Sequence, residues 1–216
     1  MDSVGTGIMK KVELNKERKK NDLLNAAYKL FTTIGFAETT ITQIASKAKV
    51  GKGTFYLYFK SKEDINRALI ANKSGQLLQQ AIDELEKYCQ NSSEAPSITD
   101  KFIFLTDYIV TAFSEDLALL RYISKHLSRG MFSLPLDDTV QHSEWVDFRA
   151  YLLDMLEQDG QTVKNFDLMI FTIIELINST CYNVILHGQP VTFSDYKPYL
   201  FNCVRLIVND ALEDPQ

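Results

Sequence analysis

Little in this 216-residue chain supports cross-linking or cofactor chemistry. Its three cysteines, Cys89, Cys181 and Cys203, are far apart and form no CxxC. An odd number at such spacings excludes a disulfide framework and a cysteine-based zinc site, and favours a reducing cytoplasm. His126, His142 and His187 show no metal-ligand spacing. Neither a nucleophile–base constellation nor a Gly-rich phosphate loop is present, so the sequence supports no metal, no cofactor and no enzymatic activity. No apolar run approaches a membrane span: the longest, Leu168 to Ile174, is interrupted by Thr172 and soon closed by Glu175. The start, MDSVGTGIMKK, lacks an apolar signal core. It reads as a disordered tail over residues 1–14, with Met9 as an alternative first residue.

What is present is an ordinary globular composition with uneven charge. Apolar residues make up 45% and charged residues 24%, enough for a real core. The net charge of −5 hides an asymmetry: residues 1–73 hold 14 Lys+Arg against 7 Asp+Glu, and the remainder holds 9 against 21. A basic front on an acidic body places any polyanionic partner at the front.

Apolar residues recur at spacings of three and four nearly throughout, so the fold class is all-α. A first helix from about Lys16 to Ile34 carries the stripe Leu23, Ala26, Ala27, Leu30, Phe31 and Ile34. Lys16, Arg18, Lys19 and Lys20 crowd its first turn, a cluster suited to phosphate contact. Gly35 ends it as a left-handed cap, with Phe36 folding back. Thr40 and Gln43 form a capping box for a second helix with Ile41, Ile44, Ala45 and Ala48 inward. A turn at Lys49–Gly51 leads to a short helix, Lys52 to Phe59. Ser61 and Asp64 then cap a fourth helix reaching about Tyr88, with Gly75 its weak point. After the loop Asn91–Ser97, helices are expected at about 98–114, 116–128, 143–159, 164–187 and 194–212, with a loop over Gly130–Val140.

The run Val50–Asp64, VGKGTFYLYFKSKED, is the most informative. On a helix, Phe55 and Phe59 share one face and anchor it inward. Tyr56 and Tyr58 flank that pair, and their hydroxyls suit phosphates on the two walls of a major groove. Gly53, Thr54 and Leu57 lie on the exposed side. Gly53 permits close backbone approach, Thr54 offers a hydroxyl and a methyl to base edges, and Lys52 reaches guanine acceptors. Such aromatic spacing also serves plain core packing. The surrounding Lys47, Lys49, Lys52, Lys60 and Lys62 are what favour DNA. Thr42, Lys49 and Lys60 complete the candidate DNA-binding set.

The segment from about Lys16 to Leu69 resembles the N-terminal domain of the tetracycline-repressor (TetR) family of bacterial regulators. The resemblance rests on Leu30-Phe31, Gly35-Phe36, Thr39-Thr40, Ile44-Ala45, Ala48, Val50, Lys52-Gly53-Thr54-Phe55-Tyr56, Tyr58-Phe59, Ser61-Lys62 and Ile65. It implies a three-helix domain with a helix-turn-helix over residues 15–62 and a larger helical effector-binding and dimerisation domain over 63–216. It further implies that Thr40, Tyr56 and Lys62 contact phosphates, that Lys52, Gly53 and Thr54 face bases, and that Tyr58 lies at the groove edge. Two positions depart from the family pattern. Lys49 stands where glycine is usual, at a turn expected to be left-handed and costing about 1 kcal/mol. Gly51 stands where serine is usual, a weaker cap.

The segment from about Lys164 to His187 is apolar almost all round and must be covered on most sides. With the last helix it reads as a dimer face making a four-helix bundle across two copies, with Phe171, Ile174, Ile177, Cys181, Tyr182, Ile185, Leu200, Val204 and Ile207 at the interface. The other reading places both helices in the core of one chain. Aromatics between the two regions suit a hydrophobic or aromatic effector: Phe104, Tyr108, Tyr122, Trp145, Phe148 and Phe171, with Glu175 as a polar partner for a ligand or for Arg121, Arg149 or solvent. The expected function is a ligand-responsive repressor that binds a palindromic double-stranded DNA operator as a homodimer and is released by a small-molecule effector. The alternatives are an activator of the same fold, or a helical ligand-binding or interaction protein whose basic N-terminus docks an acidic partner.

Overall fold

The structure, a computed structural model, describes residues 3–123 and 144–213, with side chains from residue 13 and, after the break, from residue 147. His126, Phe132, His142, the Gly130–Val140 loop and the Trp145 side chain lie outside the described residues. Contacts divide the chain into two units, Met1–Ile70 and Ala71–Gln216. The division falls inside a helix rather than at residue 62, where the sequence places the domain boundary.

In the first unit, α1 runs Ser3–Thr33, α2 Ile41–Lys47 and α3 Lys52–Tyr56, and α4 (Lys62–Asn91) begins. Helix α1 starts well before the expected Lys16, inside the stretch read as a tail; no proline interrupts residues 1–33. Leu23, Leu24, Ala26, Ala27 and Phe31 form its buried face. Ile34, expected in that stripe, is 44% exposed because the helix stops at Thr33. Gly35 takes φ +93°, a left-handed turn open to glycine at no steric cost, and Phe36 meets Phe31 edge-on at 5.1 Å. Ile44, Ala45, Phe55, Phe59, Ile65 and Leu69 complete this core. Each large side chain among them stabilises by roughly 1.5–3 kcal/mol.

The second unit holds the rest of α4, then α5 (Ile98–Glu115), α6 (Leu117–Ile123), α7 (Glu144–Gln158), α8 (Phe166–His187) and α9 (Phe193–Ala211). The N-termini of α5, α8 and α9 follow Ser97, Asn165 and Thr192, whose side chains accept from Asp100, Leu168 and Asp195 amides. Gly188, at φ +61°, ends α8. Helix α9 packs on α5 and α8, and α8 also packs on α5 and α6. Lys101 donates to both Asp159 oxygens at 2.6 and 2.7 Å, and Thr99 donates to Asn209 at 2.7 Å.

Helix α8 corrects the expectation about apolar runs. Its 22 residues, with a mean hydropathy of 1.5 over an 18-residue stretch, are long and apolar enough to cross a membrane by length and composition. Thr172, Glu175, Asn178 and Ser179 break the run without lowering the average far. In this fold α8 is a core helix, with Phe166, Met169, Ile170, Ile173, Ile177, Cys181 and Val184 buried.

Candidate nucleic-acid interface

The reading element is built from a capped helix, a turn and a short helix. Thr40 Oγ1 accepts from the Gln43 amide at 3.2 Å and donates to Gln43 Oε1 at 2.9 Å; the Thr40 amide donates to the same Oε1 at 2.8 Å. This reciprocal box holds the start of α2. At its end, the Lys49 amide donates to Ser46 O at 3.1 Å and the Val50 amide to Ala45 O at 3.0 Å. That pair of bonds is a Schellman cap, and it places Lys49 in the left-handed region at φ +56°.

Gly51, at φ −71° and ψ 152°, caps α3 with its backbone alone. Helix α3 is shorter than the expected Lys52 to Phe59, ending at Tyr56. The helical bond from the Phe59 amide to Phe55 O persists at 3.0 Å, so Phe55 and Phe59 still share the inward face, with ring centroids 5.8 Å apart. Both are buried, and Lys52, Gly53, Tyr56 and Lys60 are exposed; Thr54 and Tyr58 are half-buried. Thr42 and Lys49 are exposed on the same unit. A Cβ added at Gly53 would meet nothing within 4 Å. Leu57, 81% exposed, is absent from the site residues chosen from sequence; its place between two tyrosines on an outward turn is the signal for it.

Lys62, for which the resemblance implies a phosphate contact, is engaged with backbone carbonyls of the same unit. Its ammonium donates to Phe36 O at 2.7 Å, Thr39 O at 3.0 Å and Ala37 O at 3.1 Å, and sits 4.4 Å from the centre of the Phe36 ring. At the start of α4 the Asp64 amide donates to Ser61 Oγ at 3.1 Å, while Asp64 Oδ2 accepts from the Lys60 amide at 2.8 Å rather than from Ser61.

Six of the seven expected effector residues, all but Trp145, have described side chains. Among the described residues, Phe148 lines a groove of about 260 Å³ with Gly75, Gln76, Leu78, Gln79, Ile82 and Asp147. Phe104 instead stacks on Tyr88, ring centroids 4.7 Å apart. Tyr108 and Tyr122 are half-buried against the core. Burial, with Glu84 as the next cause, raises the Tyr108 phenol above its ordinary value. Phe171 and Glu175 lie one turn apart on α8, with Phe171 42% exposed and Glu175 half-buried. Arg149, one partner offered for Glu175, pairs instead with Asp167 at 3.0 and 3.2 Å.

The dimer set also needs correction. Cys181, Leu200 and Val204 are 0% exposed and Ile177 4%, all within one chain. Helix α9 turns that stripe inward because it packs between α5 and α8. The outward apolar side chains of these two helices are Leu168 (60%), Phe171, Tyr199 (63%) and Leu206 (61%). Ile174, Tyr182, Ile185 and Ile207 are partly buried. Among the described residues, no group of three or more His, Cys, Asp or Glu could hold a metal ion.

Residues 23–69 match the family model described as "Bacterial regulatory proteins, tetR family". A fatty acid metabolism regulator protein of Bacillus subtilis is 33% identical over 72 residues, which is 33% of this chain and 37% of that protein. The chain therefore matches well under two thirds of that relative's length. A tetR family transcription regulator described as putative, from Shewanella sp. PV-4, has a like fold, with a TM-score of 0.63 at 18% identity over 91% of this chain and 99% of that one. So does the transcriptional regulator FadR of Bacillus subtilis, solved in complex with stearoyl-CoA (TM-score 0.59, 19% identity, 85% of this chain and 96% of that one). Residues 23–69 thus carry a helix-turn-helix segment that matches the TetR family of bacterial regulatory proteins, and the all-helical fold of the chain is like that of these solved regulators along nearly its whole length.

Proposed function

We propose that the chain is a DNA-binding transcriptional repressor that acts as a homodimer on two half-sites and is released by an apolar small-molecule effector. The observation that carries this reading is α3: a short helix pinned by Phe55 and Phe59, with Lys52, Gly53, Thr54 and Tyr56 on its outward turns and lysines on both flanks. Lys52, Gly53 and Thr54 address base edges, while Thr42, Lys49, Tyr56, Tyr58 and Lys60 address phosphates. The Thr40 hydroxyl proton is already engaged with Gln43, so Thr40 approaches a phosphate only by exchanging that bond. The outward apolar residues of α8 and α9 favour a second copy as partner, and a dimer matches a palindrome.

The apolar second unit favours an apolar effector. A solved structure of like fold holds stearoyl-CoA, and a relative is named for fatty acid metabolism, so fatty acyl-CoA thioesters are the first class to test. Effector and DNA oppose each other through two states of the dimer.

The test is a titration of duplexes selected from a random library by the wild-type chain, with and without acyl-CoA of graded chain length. The expected result is salt-dependent binding that the effector weakens. Thr54→Ala relaxes base preference and Tyr56→Phe weakens binding on all sequences. Unchanged binding in both variants would refute the placement of α3, and unchanged affinity under every acyl-CoA would refute that effector class.

A further inference from the structure

We propose that Lys62 is a positioning residue: its ammonium clamps the α1–α2 link and so sets the reading pair α2–α3, and it is not a phosphate ligand. This inference rests on the DNA-binding reading above. A lysine ammonium has three donors, and all three are committed, to the carbonyls of Phe36, Ala37 and Thr39. Those carbonyls belong to a segment that otherwise has few ties. Gly35 has just turned left-handed, Thr39 donates its hydroxyl back to Gly35 O at 2.7 Å, and the Thr39 amide reaches Phe36 O only at 3.4 Å. The next residue, Thr40, is the cap on which α2 starts. The Phe36 ring, lying under the same ammonium and edge-on to Phe31, adds a cation–π contact to the clamp.

The clamp joins the first residue of α4 to the last residue before the α2 cap. It spans 26 residues of sequence to Phe36 and 23 to Thr39. Any displacement of the α4 start is therefore felt at Thr40, and through α2 at the turn that presents α3. A phosphate could recruit Lys62 only by stripping it from carbonyls that would then lose their donor.

The geometry around one nitrogen makes the test selective. Three carbonyls converging on one point suit a compact ammonium and not a planar guanidinium, whereas a phosphate accepts either. Lys62→Met and Lys62→Arg are compared with the wild type on a duplex selected by the wild type and on an unselected duplex of equal length. Binding is read as a function of salt, well below the melting transition, so that only folded protein is measured. The expected result is the same in both variants: about tenfold weaker binding to the selected duplex, equivalent to 1.4 kcal/mol, with an unchanged salt slope. Amides of the 36–41 segment exchange faster in both.

A Lys62→Met slope reduced by about 0.9, with Lys62→Arg like the wild type, would show a phosphate ligand and overturn the proposal. So would faster exchange with unchanged affinity, which would make Lys62 structural only. If the wild-type chain selects no duplex at all, the DNA-binding reading fails, and the exchange readout still decides whether Lys62 holds the link.

Discussion

Lys49→Gly should stabilise the first unit and weaken DNA binding together. Lys49 is the one non-glycine residue with positive φ among the described residues, at +56°. There its Cβ crowds the following carbonyl, at a cost of roughly 1–2 kcal/mol that glycine does not incur. The two cap bonds, from the Lys49 amide to Ser46 O and the Val50 amide to Ala45 O, are made by backbone alone and survive the change. Glycine's larger freedom in the unfolded chain takes back part of the gain, leaving about 1 kcal/mol. For a unit of the size of Met1–Ile70 that raises the melting midpoint by about 4–8 °C. Calorimetry or thermal circular dichroism reads it directly. DNA affinity moves the other way, because an exposed cation is lost from the proposed phosphate-facing surface, and the salt slope falls by about 0.9. Lys49→Ala separates the effects: it keeps the strain and loses the charge, so it should match Lys49→Gly in salt slope and show no thermal gain. A melting midpoint that falls in Lys49→Gly would refute the strain argument.

Three other perturbations test separate parts of the molecule. Gly51→Ser supplies a hydroxyl to the uncapped start of α3, where an added Cβ meets only Thr54 Oγ1 at 4.0 Å; a gain of a few tenths of a kcal/mol in chemical denaturation is expected, and a loss would mean the cap cannot form. Leu206→Glu, at an outward position, should turn a dimer into a monomer in light scattering with little change in single-chain stability, whereas Leu200→Ala, 0% exposed, should cost about 2–5 kcal/mol; similar outcomes for the two would refute the inward and outward assignments. Burial holds the Cys181 thiol up at about 11, so at pH 8 iodoacetamide should label half-buried Cys89 and Cys203 first; early labelling of Cys181 would refute its burial.

What the sequence made legible follows from how far apart the interacting residues are. The Thr40–Gln43 box, the Ser61–Asp64 cap and the Gly35 turn each join residues within one turn, and each is readable from spacing. The left-handed state of Lys49 is expected through the family resemblance, in which glycine is usual there, and the cap bonds two residues past the end of α2 give its physical reason. Periodicity likewise locates α5, α7, α8 and α9 closely, because stripes of apolar residues mark helices wherever they pack. Periodicity does not say what covers a stripe. Leu200 and Val204 look like half of an interface until α5 and α8 are seen to close over them, leaving Tyr199 and Leu206 outside.

The candidate site divides along the same line. Lys52, Phe55 and Tyr56 lie on one short helix and Phe59 follows one turn beyond Phe55, so spacing gives their inward or outward placement. Lys62 takes its role from carbonyls more than twenty positions upstream, and backbone acceptors leave no mark in sequence. A lysine beside a DNA-reading helix is therefore read as a phosphate ligand by charge alone. Its charge has a second use, since three carbonyl dipoles at the end of a left-handed turn also need a cation-like donor. The same argument separates Lys62 from Lys49, Lys52 and Lys60, which are exposed where Lys62 is half-buried. If the proposed role of Lys62 holds, the DNA-facing charge rests on exposed lysines such as Lys49, Lys52 and Lys60, and the reading surface is correspondingly smaller and more sharply centred on α3.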